Sequence, residues 1–391
     1  MTKSNYKTLV ARNIPLMYLY SAFSKAWIYL PVQIIFFSQI TESYTKAMGI
    51  ITFGNIITTV LELPTGCLSD KFGRKRICSL GAFCMFLALL LWSFSTSFTS
   101  LIAGSFFYGA FYALSSGNNE ALIYETLLQL HKKNSSYKIM SKFYAIGQFS
   151  LAISAIICTG LMFISIRSVM LSTTIMMFFA FYVTLFLIEP KHYYTFHSTG
   201  FKHIKQAVLF LWKNKKLRYY GLAEIFQHGL SEGGFYFNSI YFKLFIPEWS
   251  LGIFRSIGHF FDSLGSYISH LLHVKFSEIK IAQIGSFSSN IINICSVLAA
   301  SFLSPILKIG SSFAMGVNTP AAEIVWQKNI HSFHRVTIRS IVSLLKKLSF
   351  ALFSFLIGYI ADLFTPYFAL LFAYILAFFT NFLYTFAEKE K

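Results

Sequence analysis

The sequence predicts an all-α integral membrane protein with twelve transmembrane helices arranged as two six-helix halves. First, 55% of its 391 residues are hydrophobic and only 12% are charged, whereas a soluble domain carries roughly a quarter charged residues. Second, apolar stretches of about 20 residues, the length of a bilayer-spanning helix, recur from end to end of the chain. Third, the basic residues gather in alternate loops, as they do in multi-pass membrane proteins.

The apolar stretches divide the chain into an N-terminal half (1–188), a linker (189–216) and a C-terminal half (217–391). The linker contains an amphipathic run, Phe201–Trp212, which predicts a helix lying on the membrane surface. The first stretch is too long for a signal-peptide core and lacks a small-residue cleavage site, so it predicts the first span. In order, the predicted spans are 13–39, 46–69, 77–96, 99–128, 139–163, 168–188, 217–244, 250–273, 280–300, 304–328, 337–361 and 366–386.

The net charge of +18 is explained by membrane topology. With twelve spans, both termini and the even-numbered loops share one side, which holds nearly all loop Lys and Arg residues. The opposite side holds little beyond Lys46, Arg167 and Lys243. The positive-inside rule then places both termini in the cytoplasm of a protein in the cell (cytoplasmic) membrane. The charge therefore gives no reason to expect nucleic acid as a partner.

No cofactor, metal or enzymatic chemistry is indicated by the sequence. Its five cysteines lie in or beside apolar runs, without a CxxC or Cys/His cluster that would suggest a disulfide framework or a metal site. A Walker-type phosphate loop is also absent, which argues against ATP-driven pumping. Paired nucleophile and base residues are not found within the spans. The expected partners are the lipid bilayer, a small-molecule substrate and a coupling proton, and we expect a monomer.

One short polar stretch, Gly66–Arg76, stands out between the second and third apolar runs. Its two glycines, Gly66 and Gly73, permit close helix approach and a tight turn. It also concentrates an acid and four basic residues in eleven positions of a chain that is otherwise poor in charge. Its residues read Gly66-Cys67-Leu68-Ser69-Asp70-Lys71-Phe72-Gly73-Arg74-Lys75-Arg76.

This stretch resembles the signature loop of the major facilitator superfamily, at the position that such a loop takes in a six-plus-six chain. Leu61–Gly66 and Ser116–Glu125 are similar to stretches of bacterial drug-efflux-type members, and Gly358–Asp362 in span eleven also resembles them. Two features depart from that pattern. Span five lacks the Gly-Pro-x-x-Gly-Gly element of many proton-driven exporters, and the second-half counterpart of the loop, 273–280, is degenerate.

The resemblance implies a cytoplasmic gate built from Gly66, Asp70, Gly73, Arg74 and Arg76, with Glu125 as a partner. Asp70 would sit at the N-terminus of span eleven, where the helix dipole favours an acid. Arg74 would pair with Glu125 at the inner end of span four and help to hold an outward-facing state. The alternative is that the basic residues of the loop only anchor the topology.

Ionisable residues inside spans are functional candidates, because each costs roughly 2.5–3.5 kcal/mol to insert. The candidates for proton coupling are Glu62, Glu120, Glu232 and Asp262, and the candidate charge partners are Lys25, Arg255 and Lys346.

Two interpretations of these charges remain open. Either Glu232–Arg255 and Asp262–Lys346 are neutralising pairs, or at least one carboxylate gains and loses a proton during transport, since burial favours the neutral form of an acid. Glu62 and Glu120 are favoured for the proton, because we expect no basic residue at their depth on neighbouring spans. Glu62 has the further alternative of bonding backbone groups freed by Pro64.

Candidate substrate contacts follow from the resemblance, since the first and seventh helices line the cavity in this superfamily. Each of these residues has core packing as its alternative role. They are Tyr20, Trp27, Tyr29 and Gln33 on span one, and Tyr236 and Asn238 on span seven.

The sequence thus predicts a secondary active transporter that works by alternating access, with a site between the halves near the membrane midplane. The substrate prediction is proton-coupled export of a small amphipathic organic compound, which rests on the resemblance. Two alternatives remain: uptake of a nutrient or siderophore-like molecule, and a membrane sensor or scaffold that transports nothing.

Overall fold

The computed structural model describes residues 9–132, 135–190, 209–272, 275–330 and 332–390. The predicted surface helix at Phe201–Trp212 lies mostly outside these ranges. The described residues fold into α-helices and turns, with one short 3₁₀ helix, Glu248–Ser250. The helices are α1 (Asn13–Ser24), α2 (Gln33–Thr41), α3 (Tyr44–Phe72), α4 (Arg74–Ser93), α5 (Phe98–Ser115), α6 (Asn118–Gln129), α7 (Ser136–Met162), α8 (Ile166–Leu185), α9 (Lys215–Phe242), α10 (Leu251–Leu272), α11 (Glu278–Ala299), α12 (Leu303–Asn329), α13 (Ser332–Leu363) and α14 (Pro366–Lys389).

These helices confirm the predicted all-α membrane fold. Ten of the twelve predicted spans correspond to one helix each, and two spans are interrupted: α1 with α2 forms the first, and α5 with α6 the fourth. Among the described residues, seven helical segments are long and apolar enough to cross a membrane by length and composition alone. Helices α1 and α2 are not among them, because they have only 12 and 9 residues.

Both interruptions have a local cause, and both correct the expectation of continuous spans over 13–39 and 99–128. In the first, residues 25–32 form turns between α1 and α2. Pro31 lies there, and proline supplies no N–H and clashes with the preceding helical turn. In the fourth, Gly117 adopts φ = 69°, a left-handed conformation that glycine reaches without strain. The chain therefore bends inside two spans.

The described residues divide into two compact units. Unit 1 lies within Met1–Thr41 and Phe53–Phe196, and unit 2 lies within Glu42–Thr52 and His197–Lys391. The start of α3 therefore packs in unit 2, although the sequence-based division placed residues 42–52 in the N-terminal half. Asp362 holds this segment, because its carboxylate accepts hydrogen bonds from the backbone N–H groups of Tyr44 (2.7 Å) and Thr45 (2.9 Å).

Each unit has its own packed core. In unit 1, α4 packs against α5 and α8, and α1 packs against α7 and α8. In unit 2, α12 packs between α10 and α11, while α14 packs against α9 and α11. The backbones of α10 and α12 touch, because a Cβ built at Gly265 would collide with the Phe313 carbonyl and one at Gly316 with the Asp262 carbonyl. This close approach fixes the wall of α10 that carries the charged residues described next.

Candidate functional site

The Gly66–Arg76 loop is anchored inside unit 1 by Arg74. The Arg74 Nε lies 3.0 Å from Glu125 Oε1, and its Nη1 donates to the Ser69 hydroxyl at 2.7 Å. The side chains of Arg74 and Glu125 are only 17% and 4% exposed. Asn118 also donates its side-chain amide to the Arg74 carbonyl at 3.0 Å. The structure therefore brings together the predicted partners Arg74 and Glu125, while their gating role stays a prediction.

The other predicted gate residues contribute less to this network. The Arg76 side chain is exposed, and Gly73 forms the turn between α3 and α4 with φ = 96°. The surroundings of Gly66 and the side chain of Asp70 lie outside the described part of the chain. The predicted contact of Asp70 with span eleven is therefore untested.

Glu189, which was not predicted as a site residue, caps the start of α4. Its two carboxylate oxygens accept hydrogen bonds from the backbone N–H groups of Arg74 (2.6 Å) and Lys75 (3.0 Å). An acid at a helix N-terminus satisfies unpaired N–H groups and interacts favourably with the helix dipole. Its signal in the sequence was weak, because it follows span six and lies 115 residues from Arg74.

We expect Glu189→Ala to lower the free energy of unfolding by about 1–2 kcal/mol, the usual cost of a lost helix cap. Glu189→Gln keeps one acceptor oxygen and should lose about half as much. Thermal unfolding of the purified variants in detergent measures both effects. Equal stability of wild type and Glu189→Ala would show that the cap contributes nothing measurable.

A second cluster in unit 1 forms where the two interrupted spans bend. Lys25 directly follows α1, and Glu120 lies in the first turn of α6, just after the bend at Gly117. The two side chains interact electrostatically. Glu120 Oε1 accepts a hydrogen bond from the Tyr144 hydroxyl at 2.7 Å, while its buried Oε2 has no hydrogen-bond partner in the described part of the chain.

This cluster corrects one expectation. We predicted that no basic residue would share the depth of Glu62 and Glu120, but Lys25 is close enough to Glu120 for their charges to interact. Depth counted along straight helices missed this interaction because span one bends at Lys25. Glu62 lies close to the bend of span four, since its carboxylate accepts a hydrogen bond from the Ser116 hydroxyl at 3.0 Å.

Most of the span-one candidates for substrate contact pack inside unit 1. Tyr20 and Tyr29 are each 1% exposed, and the Tyr29 ring packs edge-on against Trp92. Trp27 is partly exposed, and the Lys25 ammonium lies 4.5 Å from its ring centroid. Gln33 is also 1% exposed, and neither polar atom of its amide has a hydrogen-bond partner among the described residues. The Tyr20 hydroxyl likewise has no hydrogen-bond partner among the described residues, whereas the Trp27 indole N–H donates to the Ser24 carbonyl at 2.9 Å. Tyr20 and Gln33 are thus the span-one candidates with polar atoms left unsatisfied by the described residues.

Unit 2 contains a cavity of about 490 Å³, a size typical of small-molecule sites. Its walls come from helices α9 to α14, and many of the lining residues are polar. Asn238 lines it, while the Tyr236 ring packs against Phe350. The ionisable lining residues are Glu224, His228, Glu232, Arg255, His259, Asp262, Lys308, Glu323 and Lys346.

Two ion pairs belong to one part of this lining. Lys346 Nζ lies 2.5 Å from Glu224 Oε1, and the Trp326 indole N–H donates to the other Glu224 oxygen. Glu323 pairs with Arg339 at 2.5 Å. The expected Asp262–Lys346 pair is therefore wrong, because Glu224 on α9 lies closer to Lys346 than Asp262 does on α10.

Another part of the lining carries Glu232 with two cations. Glu232 interacts electrostatically with both Arg255 and Lys308. Arg255 also donates to the Phe235 carbonyl at 3.3 Å, and Lys308 donates to Asn293 Oδ1 at 2.8 Å. Sequence reasoning overlooked Lys308, although it lies within predicted span ten and meets the same rule for charges inside a span.

The chain matches the family model of the Major Facilitator Superfamily over residues 16–348. The chain belongs to the major facilitator superfamily. It is therefore a multi-pass membrane transporter and not an enzyme, and members of this family bind small-molecule substrates. The predicted family is confirmed, whereas the likeness to drug-efflux-type members is not specifically supported.

Solved structures of the same fold include transporters with different substrates. A mutant of the nucleoside transporter NupG superimposes with a TM-score of 0.82 at 10% identity, covering 97% of this chain and 100% of that one. A bacterial homologue of the human lysosomal transporter Spinster superimposes with a TM-score of 0.78 at 13% identity, covering 98% of this chain and 97% of that one. A POT family transporter in complex with 5-aminolevulinic acid superimposes with a TM-score of 0.75 at 14% identity, covering 95% of each chain. No curated protein matches the chain by sequence.

Proposed function

We propose that this protein couples the movement of protons to the transport of a small organic solute. The observation that carries the proposal is Glu120, a carboxylate inside a membrane span at a helix bend, whose charge interacts with that of Lys25. Interrupted helices commonly hold coupling ions in secondary transporters. A carboxylate there can accept and release a proton, because its charged form is costly inside a bilayer unless a cation compensates it.

Protonation of Glu120 would remove its attraction to Lys25. The two residues lie at the bends of spans one and four, so their attraction acts between two helices that already lack continuous hydrogen bonding. Loss of this attraction would let these helices rearrange, which gives a route from proton binding to conformational change. Glu62 belongs to the same region through Ser116 and serves in this scheme to position the bend.

The cavity of unit 2 favours a solute with charged or hydrogen-bonding groups. Carboxylates, ammonium groups, a guanidinium and side-chain amides line it. An apolar compound bound there would displace water from these polar groups without replacing their hydrogen bonds, which is costly. The lining thus favours a polar or charged solute over an amphipathic one. Export, antiport and location in the cell membrane remain the predictions of the sequence, as does a cytoplasmic gate at Arg74.

Reconstitution tests this proposal directly. The purified protein is placed in liposomes that enclose a pH-sensitive dye, and small polar and amphipathic compounds are added one at a time with and without a pH gradient. We expect the flux of at least one compound to be accompanied by proton movement across the membrane, and a protonophore to abolish the accumulation of that compound. The sign of the pH change distinguishes symport from antiport. Flux that ignores the pH gradient would refute proton coupling.

A further inference from the structure

The cavity of unit 2 carries an asymmetric arrangement of charge. Its ion pairs Glu224–Lys346 and Glu323–Arg339 account for two of its acids. The remaining lining charges are Glu232, Arg255, Asp262 and Lys308. Glu232 interacts with both cations, so the region around Arg255 and Lys308 holds two positive charges and one negative charge.

Asp262 lies apart from these cations. In the part of the chain that the structure describes, it forms no ion pair, although it lines the cavity from a membrane span. An isolated carboxylate in such a place is costly unless a positive charge reaches it. The cavity thus has a surplus of positive charge at one end and an uncompensated acid elsewhere.

Helix α10 sets the spacing between the two ends. Arg255, His259 and Asp262 lie at positions i, i+4 and i+7, so they share one face of that helix. Seven residues correspond to about 10.5 Å along a helix axis. The Nε2 atom of His259, between the two charges, is buried and has no hydrogen-bond partner among the described residues. A bound molecule that spans this face of α10 would meet a cation, an imidazole with an unsatisfied Nε2 and an acid in turn.

We infer that this cavity binds a small zwitterion, with its anionic group at Arg255 and Lys308 and its cationic group at Asp262. The ligand's anion balances the second positive charge beside Glu232, and its cation supplies the counter-charge that Asp262 lacks. Subtracting a hydrogen-bond distance of about 2.8 Å at each end leaves a charge separation of about 5 Å in the ligand. This inference names the substrate class of the proposed transporter and so rests on the proposed function.

A series of ω-amino acids, from glycine to 8-aminooctanoic acid, tests the inference as a molecular ruler. Each compound is compared with the carboxylic acid and the amine of equal length, and binding is measured as the rise in unfolding temperature of the detergent-solubilised protein with ligand concentration. We expect an optimum at intermediate length. The matched acid and amine should bind about tenfold or more weakly, because each lacks one charge-assisted contact.

Two variants assign the ends of the ligand. Asp262→Asn should abolish the preference for the ω-amino acid over the carboxylic acid, and Arg255→Gln should abolish its preference over the amine. Glu248→Gln removes a carboxylate outside the cavity in the same unit and should change neither preference. Because each variant is judged by a ratio of affinities, a general loss of stability does not produce the expected pattern.

The wild-type series alone can overturn the inference. Absence of binding at every chain length would do so, as would a carboxylic acid that binds as tightly as its ω-amino counterpart. Binding here needs no gradient and no transport. If zwitterions bind but no compound moves protons, the proposed coupling fails alone. If another class of compound moves protons while zwitterions fail to bind, the inference fails alone.

Discussion

Lys346→Met should destabilise the protein by about 3 kcal/mol, because it leaves the Glu224 carboxylate without its cation inside a membrane-spanning unit. Glu224 and Lys346 have side chains that are only 11% and 20% exposed, and their charged atoms lie 2.5 Å apart. Glu224→Gln should have a similar effect by leaving the ammonium unpaired, although it keeps an acceptor for the Trp326 indole. The double variant should be more stable than the sum of the single losses predicts.

Thermal unfolding of the purified variants in detergent measures this cycle, and a loss of about 3 kcal/mol corresponds to a midpoint lower by roughly 5–10 °C. The chain offers a matched control in the same unit. Lys243 and Glu248 lie 3.8 Å apart with side chains 24% and 35% exposed, and breaking this pair should cost about 1 kcal/mol or less. Additive losses for Lys346→Met and Glu224→Gln would show that the two buried charges are not coupled.

The sequence was sufficient for the fold because membrane insertion depends on local composition. Each predicted span agrees with a helix or helix pair to within a few residues: predicted 217–244, for example, corresponds to Lys215–Phe242. Hydrophobic length and the distribution of basic residues are properties of short windows, so one sequence supplies them. The bends at Pro31 and Gly117 were less evident, because transmembrane helices often contain proline and glycine without breaking.

The charge pairs were predicted less well than the spans. Arg74 and Glu125 were predicted together because a family resemblance supplied the pairing. Asp262 and Lys346 were paired by depth alone, and depth along a helix says nothing about which face a residue occupies or which helix is its neighbour. Lys346 instead meets Glu224 across the α9–α13 contact. Glu189 capping α4 required the return of span six to the start of span three, a contact that no local pattern encodes.

The substrate prediction shows a different limit. Drug-efflux likeness rested on short stretches such as Ser116–Glu125, which form the bend and the Glu120 region of span four. Those residues belong to the proposed coupling region. The cavity of unit 2, which is the proposed solute site, is built from single residues on six helices, such as Lys308 on α12 and Glu232 on α9. Such residues form no continuous motif, so their combined chemistry appears only when the helices are packed.

Glu120→Gln should abolish proton-driven transport while leaving exchange of substrate intact. The amide retains the shape of the side chain and can still accept the Tyr144 hydroxyl, but it neither binds nor releases a proton. Net transport driven by a pH gradient should therefore fall to the level of protein-free liposomes. Counterflow, in which labelled substrate enters in exchange for unlabelled substrate, needs no net proton movement and should persist at near wild-type rate.

Glu62→Gln is the matched control, because it also removes a carboxylate close to the bend of span four. Glu62 accepts from Ser116, whereas Glu120 interacts with the ammonium of Lys25. The amide of Glu62→Gln keeps an oxygen that can accept from the Ser116 hydroxyl, and the proposed proton site at Glu120 is unchanged, so Glu62→Gln should keep gradient-driven transport. If Glu62→Gln stops this transport and Glu120→Gln does not, Glu62 is the proton site. If both variants keep it, the proton binds elsewhere, and the bends of spans one and four do not couple it to transport.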